Sequence, residues 1–183
     1  MSKTPQQIAL MAESGRLLAS VFGYLDRLDL LGMSTLQVND LVDNYIVDEL
    51  KARPASKGQY GFAYAMNTSR NEVVCHGVPS ADDILRDGDL VNFDITLEKN
   101  GYIADSSKTY LIGEVSEQAR QLAQVTYEAM CKGIEAVKPG ARLGDIGHAI
   151  ERHARAHRYS VVREYCGHGI GREMHEPPEV LHW

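Results

Sequence analysis

Cysteine is scarce in this chain and poorly placed for covalent work. Three are present, Cys75, Cys131 and Cys166, an odd number at wide spacing with no C-x-x-C pair. That excludes a disulfide framework and a thioredoxin-like redox motif, and reads as reduced thiols in a cytoplasmic protein. Positive charge is short as well: 19 Lys and Arg stand against 25 Asp and Glu, a formal net charge of −6. No dense basic stretch compensates, which argues against a nucleic-acid surface. The N-terminal MSKTPQQIALMAES lacks the apolar centre of a secretory leader, and no apolar run approaches the roughly 18 residues that a membrane span requires. Neither G-x-x-x-x-G-K-[ST], G-x-G-x-x-G nor H-E-x-x-H occurs, so the usual phosphate loops and the helical zinc-peptidase motif are excluded. What remains is 183 residues, 44% hydrophobic and 24% charged, enough for one globular domain with a real core.

Helical signals come first. Thr4 to Gln7 has capping-box spacing with proline at the first helical position, and Ile8, Met11, Leu18, Val21 and Leu25 recur behind it, predicting a helix over about 5–29. A second box, Ser34 with Gln37, opens a helix to about residue 51, followed by a breaker-rich loop at 53–61. Then come β-like runs: FAYAMN, EVVCHG and LVNFDITLE. The last meets Asn100-Gly101, a strong type I′ turn signal, and returns as YIADSSKTYLI. Ser116 caps a third helix to Val137 with Leu122, Val125, Ala129, Ile134 and Val137 expected inward. A fourth is marked by Leu143, Ile146, Ile150 and His153, and SVVREY reads as a further β-run.

Two helices followed by strands thus appear twice. Gly32 with Val38 and Val42 has the spacing of Gly140 with Ile146 and Ile150, an internal offset of 108 residues. The organisation expected is a single catalytic domain over 1–183, with a first half-repeat to about 112 and a partial second over about 113–183. A complete second copy would reach near residue 219, so the chain is expected to be truncated or a short relative of a longer one.

Two carboxylates mark the hairpin. A two-residue turn at Asn100-Gly101 pairs residue i with 201 − i, so Thr96 faces Asp105 and Asp94 lies on the same face. Asp94 and Asp105 become diagonal neighbours, roughly 7–8 Å apart at the backbone. Like charges there destabilise a sheet unless a cation lies between them, and a carboxylate-held divalent metal pair would supply it. The other reading has one Asp capping a turn and the other facing water. Asp82, Asp83, Asp87 and Asp89 read as solvated.

The histidines divide by context. His148, His153 and His157 lie on the fourth helix and read as surface residues. His76 follows EVVC at an expected strand end, where its side chain can project into a cleft. His168 stands between Gly167 and Gly169, which allow close backbone approach, and His175 follows seven residues later. GHGIG lacks phosphate-loop spacing, and Pro177-Pro178 argues against a helix starting there. Cys75–His76 and Cys166–His168 make poor nucleophile pairs, because adjacent strand residues face opposite ways and no orienting third group is evident.

NEVVCHGVP (Asn71–Pro79), LVNFDITLEKNGYIADSSKTY (Leu90–Tyr110) and VVREYCGHGIGREMHEPPEVLHW (Val161–Trp183) together resemble type I methionine aminopeptidase over nearly the whole chain. The resemblance implies an α/β pita-bread fold of the aminopeptidase/creatinase kind, a pseudo-twofold repeat of helix pairs and antiparallel strands, with the second half incomplete here. It implies two divalent metal ions, usually described as Co, Mn, Fe or Zn. Asp94 matches the ligand to one metal, Asp105 the ligand bridging both, and His168 the imidazole ligand. Two further glutamate ligands of the family lie C-terminal to this stretch; Glu173, Glu176 and Glu179 do not match them. His76 and His175 match the histidines that contact substrate, His76 orienting the peptide nitrogen and His175 stabilising the developing oxyanion. Phe62 matches a wall of the methionine pocket. Asn67 stands where the family usually has Cys, and Gln59 where Tyr is common.

The function so implied is hydrolytic removal of the N-terminal methionine from peptides and nascent proteins, with ribosome association as a further expectation and no nucleic-acid or membrane partner. Two alternatives are a non-catalytic pita-bread protein that binds peptides, favoured by the unmatched glutamates, and a proline-specific aminopeptidase of the same fold. The intact Asp94, Asp105 and His168 speak against the first, and NEVVCHG against the second.

Overall fold

The computed structural model describes residues 2–183. The chain divides into two compact units: one runs to Val115 and takes in Ile170–Met174, and the other holds Ser116–Gly169 and His175–Trp183.

The first unit opens as the capping residues predict. The Thr4 hydroxyl accepts from the Gln7 amide (3.3 Å) while the Gln7 side chain accepts from the Thr4 amide (2.8 Å), and helix α1 runs Pro5–Leu25. The expected end at 29 overshoots. Arg27 and Leu28 donate to the carbonyls three residues back, tightening the last turn, and Asp29 accepts from Leu31 to turn the chain away. By length and mean hydropathy (1.2 over 18 residues) α1 could cross a membrane, which the run-by-run reading did not register. Its buried face, Ser14, Leu18, Val21 and Leu25, instead lies against the sheet, as in a core helix. Helix α2, Thr35–Asn44, enters through the Ser34–Gln37 box and continues as one π-helical turn, Tyr45–Glu49, close to the expected limit.

The sheet is built around β3 (Leu90–Lys99) and β4 (Tyr102–Leu111), an antiparallel hairpin. Its turn has φ of 55° at Asn100 and 77° at Gly101, the paired positive values a type I′ turn demands. β1 (Arg53–Pro54) and β2 (Met66–Arg70) both pair with β3; since β4 occupies one edge along its whole length, they share the other. Val91, Phe93, Ile95 and Leu97 alternate onto the buried face and join Leu18, Val21, Leu25, Val38 and Val42 in one core. Each such side chain contributes about 1.5–3 kcal/mol on burial, so this face fixes the register.

Three sequence expectations fail in whole or in part here. The 53–61 loop carries the short β1 and a 3-10 turn, Gln59–Gly61, and the FAYAMN strand starts only at Met66. EVVCHG is no strand at all: Asn71, just before its start, and His76, within its end, take left-handed φ of 52° and 56°. The segment is held instead by Gly77, which accepts from the Thr68 amide (2.8 Å) and donates to the Ser69 hydroxyl (3.1 Å). A Cβ at Gly77 would lie 2.1 Å from the Thr68 carbonyl oxygen, so only glycine permits this approach.

The second unit holds α3 (Glu117–Glu135), capped by Ser116, then α4 (Leu143–Ala156), β5 (Gly167–Gly169) and β6 (Glu176–Val180). The caps Ser34 and Arg142 stand 108 residues apart, and Gly32 and Gly140 share left-handed φ of 83° and 88°, matching the offset read from sequence. The inward face of α3 differs from expectation. Val125, Ala129 and Gly133 are buried, whereas Leu122, Ile134 and Val137 are exposed. The small residues win because α4 packs close: a Cβ at Gly133 would meet Ile150 at 2.8 Å. SVVREY forms no strand; pairing starts at Gly167. Gly147 of α4 lets the C-terminal VLHW segment in, where a Cβ would lie 2.5 Å from the Trp183 carbonyl.

Candidate active site

The pairing of i with 201 − i holds along the whole hairpin: Thr96 opposes Asp105 and Asp94 opposes Ser107. On the other edge Asn67 opposes Asp94 directly. Strand alternation therefore gathers Asn67, Asp94 and Asp105 on the face opposite the core, with Asn92, Thr96, Ser107 and Thr109 around them. The neutral groups satisfy one another. Asn92 donates to Ser107 (3.3 Å) and Thr109 (3.2 Å), and Thr96 donates to Ser56 (3.1 Å), which donates to the Ala65 carbonyl (2.8 Å). Both carboxylates are half-buried. Two half-buried oxygen donors of like charge on one rigid hairpin suit a hard or borderline divalent cation.

His76 is exposed on the loop that follows β2, not at a strand end. That loop is tied down by residues the sequence reading left as solvated. Arg70 reaches Asp83 (2.7 Å) and both oxygens of Asp89 (3.2 Å each). Asn71 donates to Asp89 (2.8 Å) and accepts from the Leu90 amide (3.0 Å), and the Arg86 amide also donates to Asp89 (2.8 Å). Burial pushes the Asp89 carboxyl up, but the hydrogen bonds from Asn71 and Arg86 and the Arg70 guanidinium outweigh it and hold it below its ordinary value of 3.8. Asp89→Ala should cost about 2–3 kcal/mol at neutral pH, since it leaves the half-buried Arg70 guanidinium with Asp83 as its remaining carboxylate and takes the acceptor from the Asn71 side chain and the Arg86 amide. Because the folded pKa is depressed, the advantage of the parent is complete above pH 3.8 and vanishes as pH falls through the lower folded value. Urea unfolding of both proteins across that range checks it.

In the second unit, His168 sits half-buried on β5 with Nδ1 2.9 Å from the Gly169 carbonyl oxygen. A carbonyl only accepts, so Nδ1 is the nitrogen that carries the proton in this contact. The exposed His175 returns to it: their ring centroids are 4.5 Å apart at 57°. Gly169 makes this possible, because a Cβ there would lie 2.4 Å from the Pro177 carbonyl. The intervening residues 170–174 belong to the first unit, where Gly171 accepts from the Ile103 amide (2.8 Å) and Arg172 lies over the Tyr102 ring (4.9 Å). Phe62 is half-buried and meets Tyr64 edge-on at 5.6 Å. The bracing set Arg70, Asn71 and Asp89 escaped the sequence reading because no local spacing links groups 18 and 19 residues apart across a loop.

Carboxylates presented by a hairpin in one unit, and an imidazole presented between glycines in the other, are residue types that metal-dependent hydrolases use. Residues 9–182 match the profile of metallopeptidase family M24, and the chain belongs to that family. It is similar to the methionine aminopeptidase of Escherichia coli strain K12, 42% identical over 181 residues that span 99% of this chain and 69% of that protein. The crystal structure of methionine aminopeptidase from Rickettsia prowazekii matches with a TM-score of 0.96 at 43% identity, covering 100% of this chain and 73% of that one. Prolidase from Pyrococcus furiosus matches with a TM-score of 0.82 at 22% identity, over 99% of this chain and 52% of that one, a likeness of fold alone. The pita-bread architecture expected from the sequence is the one observed.

Proposed function

We propose that this chain is a metal-dependent aminopeptidase that removes the initiator methionine from new polypeptides. The observation that carries this reading is the 42% identity to a methionine aminopeptidase over 99% of the chain. The hairpin register supports it chemically.

In this reading Asp94, Asp105 and His168 are the residues that would hold two divalent ions. When bound, such ions supply Lewis acidity toward the scissile carbonyl and bring the pKa of water toward neutrality. The remaining work falls to the chain. The hairpin fixes the two carboxylates in place before substrate arrives, so no reorganisation accompanies the reaction. His76, held by the loop that Asp89 braces, orients the peptide nitrogen beside the cut. His175 donates a hydrogen bond to the carbonyl oxygen as negative charge develops there. Phe62 and Asn67 line the methionine pocket, which selects by size and shape.

The test is release of free methionine by the full-length protein, loaded with manganese or cobalt, from a Met-Ala-Ser peptide but not from Leu-Ala-Ser. No release under either metal would sink the reading, and preferential cleavage of X-Pro bonds would move the chain to the proline-specific peptidases. Such a substrate is met where chains are made, so we place the enzyme in the cytoplasm with access to ribosome-bound chains. Cosedimentation with ribosomes checks that access.

A further inference from the structure

Glu128 on α3, His153 on α4 and His157 at the C-terminal cap of α4 each offer a metal-ligating atom, and these atoms all lie within 4.8 Å of one another. We infer that they form a second cation site, one that binds a zinc-class divalent ion and staples α3 to α4. It shares no residue with the Asp94, Asp105 and His168 set.

The arrangement follows from helix geometry. Residues four apart share a helical face, so His153 and His157 present their rings side by side, centroids 4.5 Å apart. The third donor cannot come from the same helix; it arrives from α3 because Gly133 lets Ile146 and Ile150 of α4 approach closely. Glu128 adjoins Ala129, one of the buried residues of α3, and so stands at the margin of that contact. The sequence reading left these histidines as solvated surface residues, yet the His153 side chain is only 18% exposed, with its Nε2 3.0 Å from Glu128 Oε2.

The groups behind the donors are those a metal site requires. His157 Nδ1 lies 3.0 Å from the His153 carbonyl, which fixes the proton on Nδ1 and leaves Nε2 with its lone pair. The other oxygen of Glu128 accepts from Gln124 (2.8 Å), orienting the carboxylate. Two imidazoles and one carboxylate with a solvent-facing fourth position is a zinc donor set, and tetrahedral bonds of about 2.0–2.1 Å place neighbouring donors about 3.3 Å apart. The Glu128–His153 contact of 3.0 Å is a hydrogen bond donated by Nε2; zinc takes the place of that proton, which is released to solvent, the pair opens slightly to reach the spacing, and the exposed His157 closes the wider gap. Imidazole donors distinguish this site from the carboxylate-rich hairpin, which favours harder ions.

The test separates the two sites by working on full-length protein carrying D94N and D105N. Equilibrium dialysis against zinc should give one bound ion per chain, and zinc should raise the thermal midpoint. Adding H157Q, an exposed substitution at the C-terminal cap of α4, should weaken zinc binding at least tenfold and remove the thermal shift. E128Q should weaken it by a similar direction and smaller factor. Absence of bound zinc in the D94N/D105N protein overturns the inference. So does zinc binding of equal strength with and without H157Q in a protein whose circular dichroism is unchanged.

Discussion

Asp105→Asn is expected to leave the fold standing and to lower methionine release about 10³-fold, the equivalent of roughly 4 kcal/mol of transition-state stabilisation. The side chains are nearly isosteric, so packing against Thr96 across the ladder is kept. What changes is charge. In metal-free protein Asp94 and Asp105 are like charges on diagonal positions, and removing one should stabilise the hairpin slightly, by about 0.2–1 kcal/mol. In metal-loaded protein the sign reverses, since the parent gains stability from every ion it binds and the variant loses that gain. The decisive readout is therefore a pair of thermal melts with and without manganese, taken beside activity and bound-metal analysis. A variant that is more stable than the parent without metal, less stable with it, and inactive is the expected result. Activity within threefold of the parent would remove Asp105 from the metal site.

That carboxylate pair was legible because its causes are local. Asn100-Gly101 fixes the turn, the turn fixes the register, and strand alternation fixes the face, so nothing distant intervenes. The capping boxes at Thr4 and Ser34 were legible for the same reason. The readings that failed depend on what packs against what. EVVCHG has strand-like composition, but the close approach of Gly77 to Thr68 and the left-handed Asn71 and His76 shape it as a braced loop. On α3, apolar residues surround the helix, and the partner α4 chose the face of Val125, Ala129 and Gly133 because small side chains permit close contact. Asp89 and His153 were both read as solvated, and both are held by charged groups from elements far away in sequence. Periodicity reports a face; it does not report which neighbour arrives.

His175→Ala tests the proposed substrate contact apart from the proposed metal ligands, and is expected to lower kcat about 10²-fold while leaving KM within about threefold. The reasoning is differential: a hydrogen bond donated to the carbonyl oxygen strengthens as that oxygen gains charge, so its loss raises the barrier more than it weakens binding. Because His175 is exposed, truncation should shift stability by no more than about 0.5 kcal/mol. His168 keeps its Gly169 contact, so bound metal should be unchanged. His175→Gln restores a neutral donor and should recover part of the lost rate, which a purely structural role for the ring would not predict. The outcome also separates His175 from His76: a group that orients the peptide nitrogen should, when truncated, raise KM as well as lower kcat. If His175→Ala instead lost metal along with activity, the ring packed 4.5 Å from His168 would be a positioning residue for that ligand, and the hydrogen bond to the substrate would have to come from elsewhere.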